Sequence, residues 1–342
     1  MTAGSGPAVG AVRTERTAVV RTVPWNGVLQ HYWDFPPVET AAGGAAAAVL
    51  MVHGFRGDHH GLLRIVEALP RNRVIVPDLP GFGQSGQLDG AHTTEAYSSF
   101  VEHSLGVLAL GPSTVLLGHS FGSIVAADFA ARHPGRIAAL VLVNPICAPA
   151  LEGPSRLASK AAELYYVAAA HLPEAGGRAL LANPLIVRLM SVFMAKTRVP
   201  EVRRYIHAQH SAHFSSFASR RVVLEAFRAS ISGTVRDSAA DLRMPVLLIA
   251  AELDDIGSLE GQRRLAALIP SSTLSILPGV GHLIHYEKPG EAAQVITEFL
   301  AGVPAAGPAA EHDPGRAPSN SAGHAVAPSP GPPAPSPAEP AK

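Results

Sequence analysis

Two observations predict a doubly wound α/β protein with a mostly parallel sheet and an inserted helical cap. Short, almost wholly apolar runs rich in Val, Leu and Ile alternate with longer amphipathic stretches over most of the chain. The alternation breaks once, between Pro145 and about Arg243, where helical patterns follow one another without a strand-like run. Continuous apolar runs suit strands covered on both faces, and their alternation with helices implies repeated βα units.

Taken in order, TAVVRTVP and VLQHYWDF flank Trp25-Asn26-Gly27 and predict an antiparallel hairpin. Buried strands are predicted for AAVLMVHG ending at Gly54, NRVIVPD ending at Asp78, STVLLGHS ending at Ser120, and AALVLVNP ending at Pro145. MPVLLIAAELD, ending near Asp254, and STLSILPG, ending at Gly279, complete the set. GLLRIVEAL, TEAYSSFVEHSLGVLAL, SIVAADFAARH, LEGQRRLAALI and GEAAQVITEFL carry helical periodicity and run into Pro or Gly, which stop helices. The interrupting stretch contains RLASKAAELYYVAAAHL, PLIVRLMSVFMAK and RRVVLEAFRASI. Its place after one strand and before the next puts it over the C-terminal edge of the sheet, where open α/β sheets bind ligands. The predicted core is therefore 15–145 with 244–302, and the predicted cap is 146–243. Segments 1–14 and 303–342 are Pro, Ala, Gly and Ser with few bulky apolar residues. Such chains bury too little surface to offset their conformational entropy, so both are expected to be disordered.

Composition narrows the function. Hydrophobic residues make up 47% and charged residues 16% of the 342, enough for a sizeable core. The 27 basic and 27 acidic side chains cancel, which gives no electrostatic reason to seek nucleic acid or an anionic surface. Cys147 is the only cysteine, so no internal disulfide forms and nothing points to an oxidising compartment. The first residues lack a basic start followed by a long apolar run, and no stretch approaches the ~20 apolar residues of a membrane span. The expectation is a cytoplasmic protein acting on a small molecule.

Gly118-His119-Ser120-Phe121-Gly122 matches G-x-S-x-G between a strand and a helix, the context this motif requires. A sharp turn there lifts a serine hydroxyl clear of the sheet at the positive end of a helix. A serine is a weak nucleophile unless a base takes its proton. Among 16 histidines, His282 follows a late strand and the Gly-rich turn Pro278-Gly279-Val280-Gly281, which can reach back over the sheet. His285 and His119 are its competitors. A carboxylate must then hold the imidazole in the correct tautomer, and Glu252, Asp254 and Asp255 all sit just past the strand VLLIA. The order Ser…Asp…His excludes Asp58 and Asp78.

From about residue 20 to 302 the chain resembles the α/β-hydrolase superfamily, in the capped branch of esterases, cofactor-free haloperoxidases and carbon–carbon bond hydrolases. The matching segments are VLMVHGFRG, VIVPDLPGFGQS, LLGHSFGS, LLIAAELDDIGS and LPGVGHLIHYEKP, in the expected order. The resemblance implies Ser120 as nucleophile and His282 as base. The family's G-x-x-D pattern puts the acid on Asp254, with Ala251 in place of the usual glycine. Some relatives place the acid one strand earlier, where this chain has Asn144. His53-Gly54-Phe55 is similar to the family's first oxyanion loop, so the N–H groups of Phe55 and Phe121 become the expected oxyanion donors. Asp78-Leu79-Pro80-Gly81-Phe82-Gly83 also matches, as a structural turn beside the site. No cofactor or metal is implied. The expected reaction is hydrolysis of an ester or related acyl compound through an acyl-serine. Carbon–carbon hydrolysis, with Arg188 or Arg203 holding a substrate carboxylate, and peracid formation are the enzymatic alternatives. A ligand-binding protein on the same fold is the non-enzymatic one.

Two cap features have plainer explanations. His207, His210 and His213 recur at threes, but without carboxylate or cysteine partners at ligand spacing they read as a polar helix face. Tyr165, Tyr166, Phe193, Met194, Phe214 and Phe217 are candidates either for an acyl pocket or for the cap's own core, with Phe193 and Phe214 the expected substrate contacts. Removing the residues after Gly302 should leave the melting temperature unchanged within a degree or so, because that segment has few apolar side chains to bury. A calorimetric drop of several degrees would show instead that it docks.

Overall fold

A computed structural model describes residues 16–39, 46–149 and 156–303, with the side chains of 156–158 excepted. The segments expected to be disordered, 1–14 and all of 303–342 but Val303, lie outside the described residues. An eight-stranded sheet is built in the order β1-β2-β4-β3-β5-β6-β7-β8. Strands β1 (Val19–Trp25) and β2 (Val28–Phe35) form the predicted hairpin. Its turn residues Asn26 and Gly27 both have positive φ, 50° and 78°, the backbone that a two-residue hairpin needs to match strand twist. β2 pairs antiparallel with β4 (Val74–Pro77), and every later pairing is parallel.

The parallel strands are β3 (Val49–Val52), β4, β5 (Val115–His119), β6 (Ala139–Val143), β7 (Val246–Ala251) and β8 (Ser272–Leu277). Alternate side chains along them feed two cores. Leu50, Val52, Leu116, Leu140, Leu142 and Leu248 pack toward one face. Val49, Met51, Leu117, Val141, Val143 and Ile249 pack toward the other. This period of two explains why the runs read as continuously apolar: each strand is wanted on both sides. Helix α1 (Leu63–Glu67) follows β3 after a short 3₁₀ turn, and α2 (Thr94–Val107) and α3 (Phe121–Arg132) follow β4 and β5. α2 and α3 share the first core, whereas α1 lies in the second.

Five helices fill the interval between β6 and β7: α4 (Arg156–His171), α5 (Glu174–Leu181), α6 (Pro184–Met194), α7 (Pro200–His213) and α8 (Arg220–Ser232). Tyr166 of α4, Leu181 of α5 and Val222, Val223 and Phe227 of α8 join the first core. Ile206 of α7 packs instead on Leu283 and Tyr286. α9 (Leu259–Leu268) connects β7 to β8, and α10 (Ile284–Glu287) and α11 (Pro289–Ala301) end the described chain. One stretch among the described residues, Glu174–Met194, is long and apolar enough by composition to cross a bilayer, contrary to the expectation from sequence. It is two helices, broken at Ala182-Asn183, where the Asn183 side chain caps α6.

The glycines of this scaffold separate into two kinds. A Cβ on Gly122 would lie 2.2 Å from the Val52 carbonyl oxygen, whereas one on Gly106 in α2 would meet nothing. Gly122→Ala should therefore cost about 2 kcal/mol or more, because backbone must move. Gly106→Ala should stabilise by about 0.5–1 kcal/mol. Urea unfolding of the two variants tests this, and equal effects would contradict it.

Candidate active site

Ser120 sits between β5 and α3 with φ 53° and ψ −120°, a backbone that side chains rarely adopt. Its neighbours make that turn possible. A Cβ on Gly118 would come within 2.3 Å of the Gly122 carbonyl oxygen, and Gly122 has no room either. The Ser120 N–H donates to the Val143 carbonyl at 3.0 Å, which fastens the turn to β6.

The loop after β8 brings His282 over this turn. Its Nε2 is 2.8 Å from Ser120 Oγ, and its Nδ1 is 2.9 and 3.1 Å from the two carboxylate oxygens of Asp254. A carboxylate facing Nδ1 fixes the proton there, so Nδ1–H donates to Asp254 and Nε2 accepts from the Ser120 hydroxyl. Asp254 is almost wholly buried, which by itself opposes ionisation. The His282 charge and its hydrogen bond, the Ile256 N–H and the Asn144 amide together outweigh burial and hold the carboxyl below its ordinary range. The Ile256 N–H donates at 2.8 Å and Asn144 Nδ2 at 3.0 Å.

The competing residues fall elsewhere. Asp255 points outward and pairs with Lys196, and Glu252 accepts the Gly279 N–H at 2.7 Å. His119 is buried beside His282 and His285, and burial followed by the His282 charge pushes its pKa down to about 3. His285 is held well below its ordinary value by burial and by the same neighbours. Both therefore stay neutral and out of reach of Ser120 Oγ, where only His282 is hydrogen-bonded among the described residues.

Asn144 carries a role that sequence reasoning missed. It stands at the position where some relatives carry the acid, and its amide orients Asp254 from the end of β6. Its only signal was position, since it has no charge.

The loop after β3 approaches Ser120 closely. A Cβ on Gly54 would lie 3.2 Å from Ser120 Cβ. The N–H of Phe55 donates to no acceptor among the described residues, and Phe121 begins α3, where a helix N–H has no partner within the helix. The loop is held from below by His53. Its Nε2 accepts the Leu79 N–H at 2.9 Å, so Nδ1–H donates to the Gly54 carbonyl at 2.8 Å. Asp78 takes the structural part expected of its turn, accepting from the N–H groups of His59 and Gln84 at 2.8 and 2.7 Å.

From above, Arg56 fixes the same loop. It is fully buried at φ 56°, and its guanidinium donates to the Leu181 and Phe214 carbonyls at 2.8 and 3.0 Å. The Phe214 ring stacks under that cation at 4.4 Å. Phe214 thus faces the loop through Arg56. Phe193 does not: it is exposed on the outer side of α6, with only the Lys196 ammonium over its ring. Apolar residues occur all around α6, so its sequence did not mark which side faces inward. The rings that surround Phe55 are Phe82, Tyr166 and Phe227, at centroid distances of 5.6–6.3 Å. Of the other cap candidates, Met194 packs by Tyr286, and Tyr165 donates its hydroxyl to the Leu180 carbonyl.

The histidines of α7 are also corrected. His207 and His210 are buried and share Ser191 Oγ at 2.6 and 2.8 Å, so they do not form a solvated polar face. His213 lies 3.5 Å from Asp58. Asp58, His59 and His60 bring potential ligand atoms within 4.8 Å of one another. His59 Nδ1 is engaged with Asp78, and the His60 ring lies between those of His59 and His213 at 3.8 and 3.7 Å. With His59 Nδ1 turned to Asp78 and His60 Nδ1 to Asp58, these nitrogens are already engaged as partners of carboxylates. Arg188 and Arg203, the residues suggested for holding a substrate carboxylate, are both exposed. A cleft of about 640 Å³ lined by His92, Asp128, Glu225 and Arg228 includes none of Ser120, Asp254 and His282.

Comparison with known proteins agrees with the fold. The model of the alpha/beta hydrolase fold family matches residues 47–289. A putative carbamate hydrolase, RutD, of Caulobacter sp. (strain K31) is 27% identical over 236 residues, covering 68% of this chain and 82% of that protein. A putative 2-succinyl-6-hydroxy-2,4-cyclohexadiene-1-carboxylate synthase of Bacillus subtilis (strain 168) is 27% identical over 262 residues, or 76% and 92% of the two chains. Among solved structures, a thermophilic esterase from Thermogutta terrifontis superposes with a TM-score of 0.63 at 28% identity, covering 84% of this chain and 98% of that one. A strained serine after the third parallel strand, the strand order and a family match over most of the chain converge: this protein is an enzyme of the α/β-hydrolase fold family.

Proposed function

We propose that the protein hydrolyses a carboxylic ester or a related acyl compound through an acyl-enzyme on Ser120. The observation that carries this is the unbroken hydrogen-bond path from Ser120 Oγ through His282 to Asp254, at 2.8 and 2.9 Å. Ser120 Oγ attacks the acyl carbon as its proton passes to His282 Nε2. Asp254 stabilises the imidazolium without taking a proton itself. The carbonyl oxygen becomes an oxyanion between the N–H groups of Phe55 and Phe121, donors already in place before reaction and worth about 3 kcal/mol each. Collapse expels the alcohol, which takes the proton from His282. Water then repeats the sequence on the acyl-serine and restores Ser120. The acyl group lies against Phe55 and the Tyr166 and Phe227 rings that cover it, which favours apolar acyl chains by ~0.8 kcal/mol per buried methylene. Carbon–carbon hydrolysis has less support, because Arg188 and Arg203 both lie in solvent.

Ser120→Ala should lower ester turnover by about 10⁴–10⁶ and abolish labelling by a fluorophosphonate, with an unchanged circular dichroism spectrum. Undiminished labelling of that variant would refute the reaction. For the acid, Asp254→Asn should lower kcat by about 10²–10⁴ and Asp255→Asn by no more than a few-fold, and the reverse ranking would reassign the residue. The Asp254 carboxyl has a folded pKa below its unfolded one, so the ionised form stabilises the fold above about pH 4. That stabilisation is lost as pH falls through the folded value. The stability gap between wild type and Asp254→Asn should therefore be widest near neutrality and shrink in acid, and a gap that widens below pH 4 would contradict the assignment.

A further inference from the structure

We infer that the outer face of α6 docks on an anionic lipid surface and thereby presents lipid acyl esters to Ser120. Leu185, Leu189, Val192 and Phe193 are 80%, 70%, 42% and 62% exposed. Their spacing of four, three and one places them on one side of the helix. The opposite side is buried through Val187 and Ser191, the latter held by His207 and His210 of α7. α6 is thus fixed to the protein through Val187 and Ser191 and turns Leu185, Leu189, Val192 and Phe193 to solvent. Contiguous exposed apolar residues of this size mark a contact surface in soluble proteins.

Charge selects the occupant. From Ala175 to Pro200 there is no Asp or Glu, while Arg178, Arg188, Lys196 and Arg198 are all present. Arg188 and Arg198 are exposed, and neither pairs with a carboxylate among the described residues. An apolar helix face flanked by unpaired cations matches the boundary between acyl chains and anionic headgroups. A second copy bound through the same face would bring together two such cationic segments, neither with an acid between Ala175 and Pro200 to relieve the other. The C-terminal residues 304–342 contain no Leu, Ile, Phe, Met, Trp or Tyr, which leaves them little to bury on this face.

Position links the face to the chemistry. Just past the end of α6, the Lys196 N–H donates to Glu287 of α10 at 2.9 Å. A Cβ on Gly281, the residue before His282, would meet the Lys196 side chain at 2.4 Å. The C-terminal end of α6 therefore rests against the loop that carries His282, and a surface bound by α6 lies beside that loop. The docking stands on this face alone, whereas the choice of lipid acyl esters rests on the acyl-serine reaction proposed above.

Flotation of the full-length Ser120→Ala protein with phosphatidylglycerol-containing vesicles separates the two, since it needs no turnover. The protein should float with these vesicles, less with pure phosphatidylcholine, and less again as salt is raised. In the same background, Leu185→Asp with Leu189→Asp should lower the bound fraction about tenfold or more. Neither leucine touches the site, so the double variant with Ser120 restored should melt as wild type does and hydrolyse a soluble short-chain ester at the wild-type rate. Protein that stays at the bottom of the gradient with every vesicle overturns the inference. So does a dimer in sedimentation velocity that the double variant converts to monomer. Loss of soluble-ester hydrolysis in the wild type would instead count against the acyl-serine reaction and leave docking intact.

Discussion

Close approach of two backbones beneath Ser120 is the constraint on which the site depends. Gly118 and Gly122 bracket the serine, and a side chain on either would strike main-chain atoms within 2.3 Å. Only that approach lets α3 start hard against the end of β5 and forces Ser120 into its left-handed conformation. Strain of this kind costs about 1–3 kcal/mol and persists only when its surroundings over-determine it. Here they do: the Ser120 N–H is bonded to β6, and the Ser123 hydroxyl donates to the Ser120 carbonyl. The strain has a direct use. It holds the hydroxyl out from the sheet while the first N–H of α3 has no partner within the helix, as the proposed reaction requires.

Everything else in the site is arranged around that fixed point by three loops at one edge of the sheet. The loop after β3 brings the Phe55 N–H, the residues after β7 bring Asp254, and the loop after β8 brings His282. Each has its own support within the protein. His53 and Arg56 grip the first loop from the core and from the inserted helices, Asn144 braces the second, and Lys196 lies against the third. Arg56 is the unusual member, a buried cation held by two carbonyls and two aromatic faces, with its Nη1 unpartnered and no carboxylate beside it among the described residues. Burying a charge that way is costly unless the groups around it are already held in place. The loop after β3 and the inserted helices are therefore coupled, and the helices cannot shift far without disturbing Phe55.

Much of this was legible in the sequence because parallel strands leave so strong a mark. Each strand must satisfy two apolar layers, so VLMV, VLLGH, ALVLV and VLLIAA carry almost no polar residue. The strands then locate the loops, and the loops locate Ser120, His282 and a short run of acids. Spacing alone does not choose among Glu252, Asp254 and Asp255, since all three leave the same strand end. Their separation depends on where the chain turns and on what pairs with the rejected residue, here Lys196 from a helix distant in sequence. α7 reads in sequence as a helix with a polar histidine face, because nothing in its spacing tells that His207 and His210 turn inward with Ile206. α6 misled in the opposite way. Apolar residues ring it completely, so its inward and outward faces look alike until the contacts made by Ser191 and Val187 distinguish them.

Electrostatics explains why four histidines clustered at one place still leave a single path for the proton. His53 and His119 lie under the site and His285 behind it, and burial keeps each of them below its ordinary pKa. A neutral imidazole there fills space without adding charge beside His282, and that of His53 also makes two short hydrogen bonds. Had these positions carried lysine or arginine, they would oppose the His282 imidazolium of the proposed reaction. Asp254 supplies the reverse condition. It is buried too, but three further donors, including two backbone N–H groups, stabilise its charge. The site therefore aligns a carboxylate whose charge is stabilised, an imidazole and the strained serine. In the proposed reaction, that polarity sets the direction of proton transfer before substrate arrives.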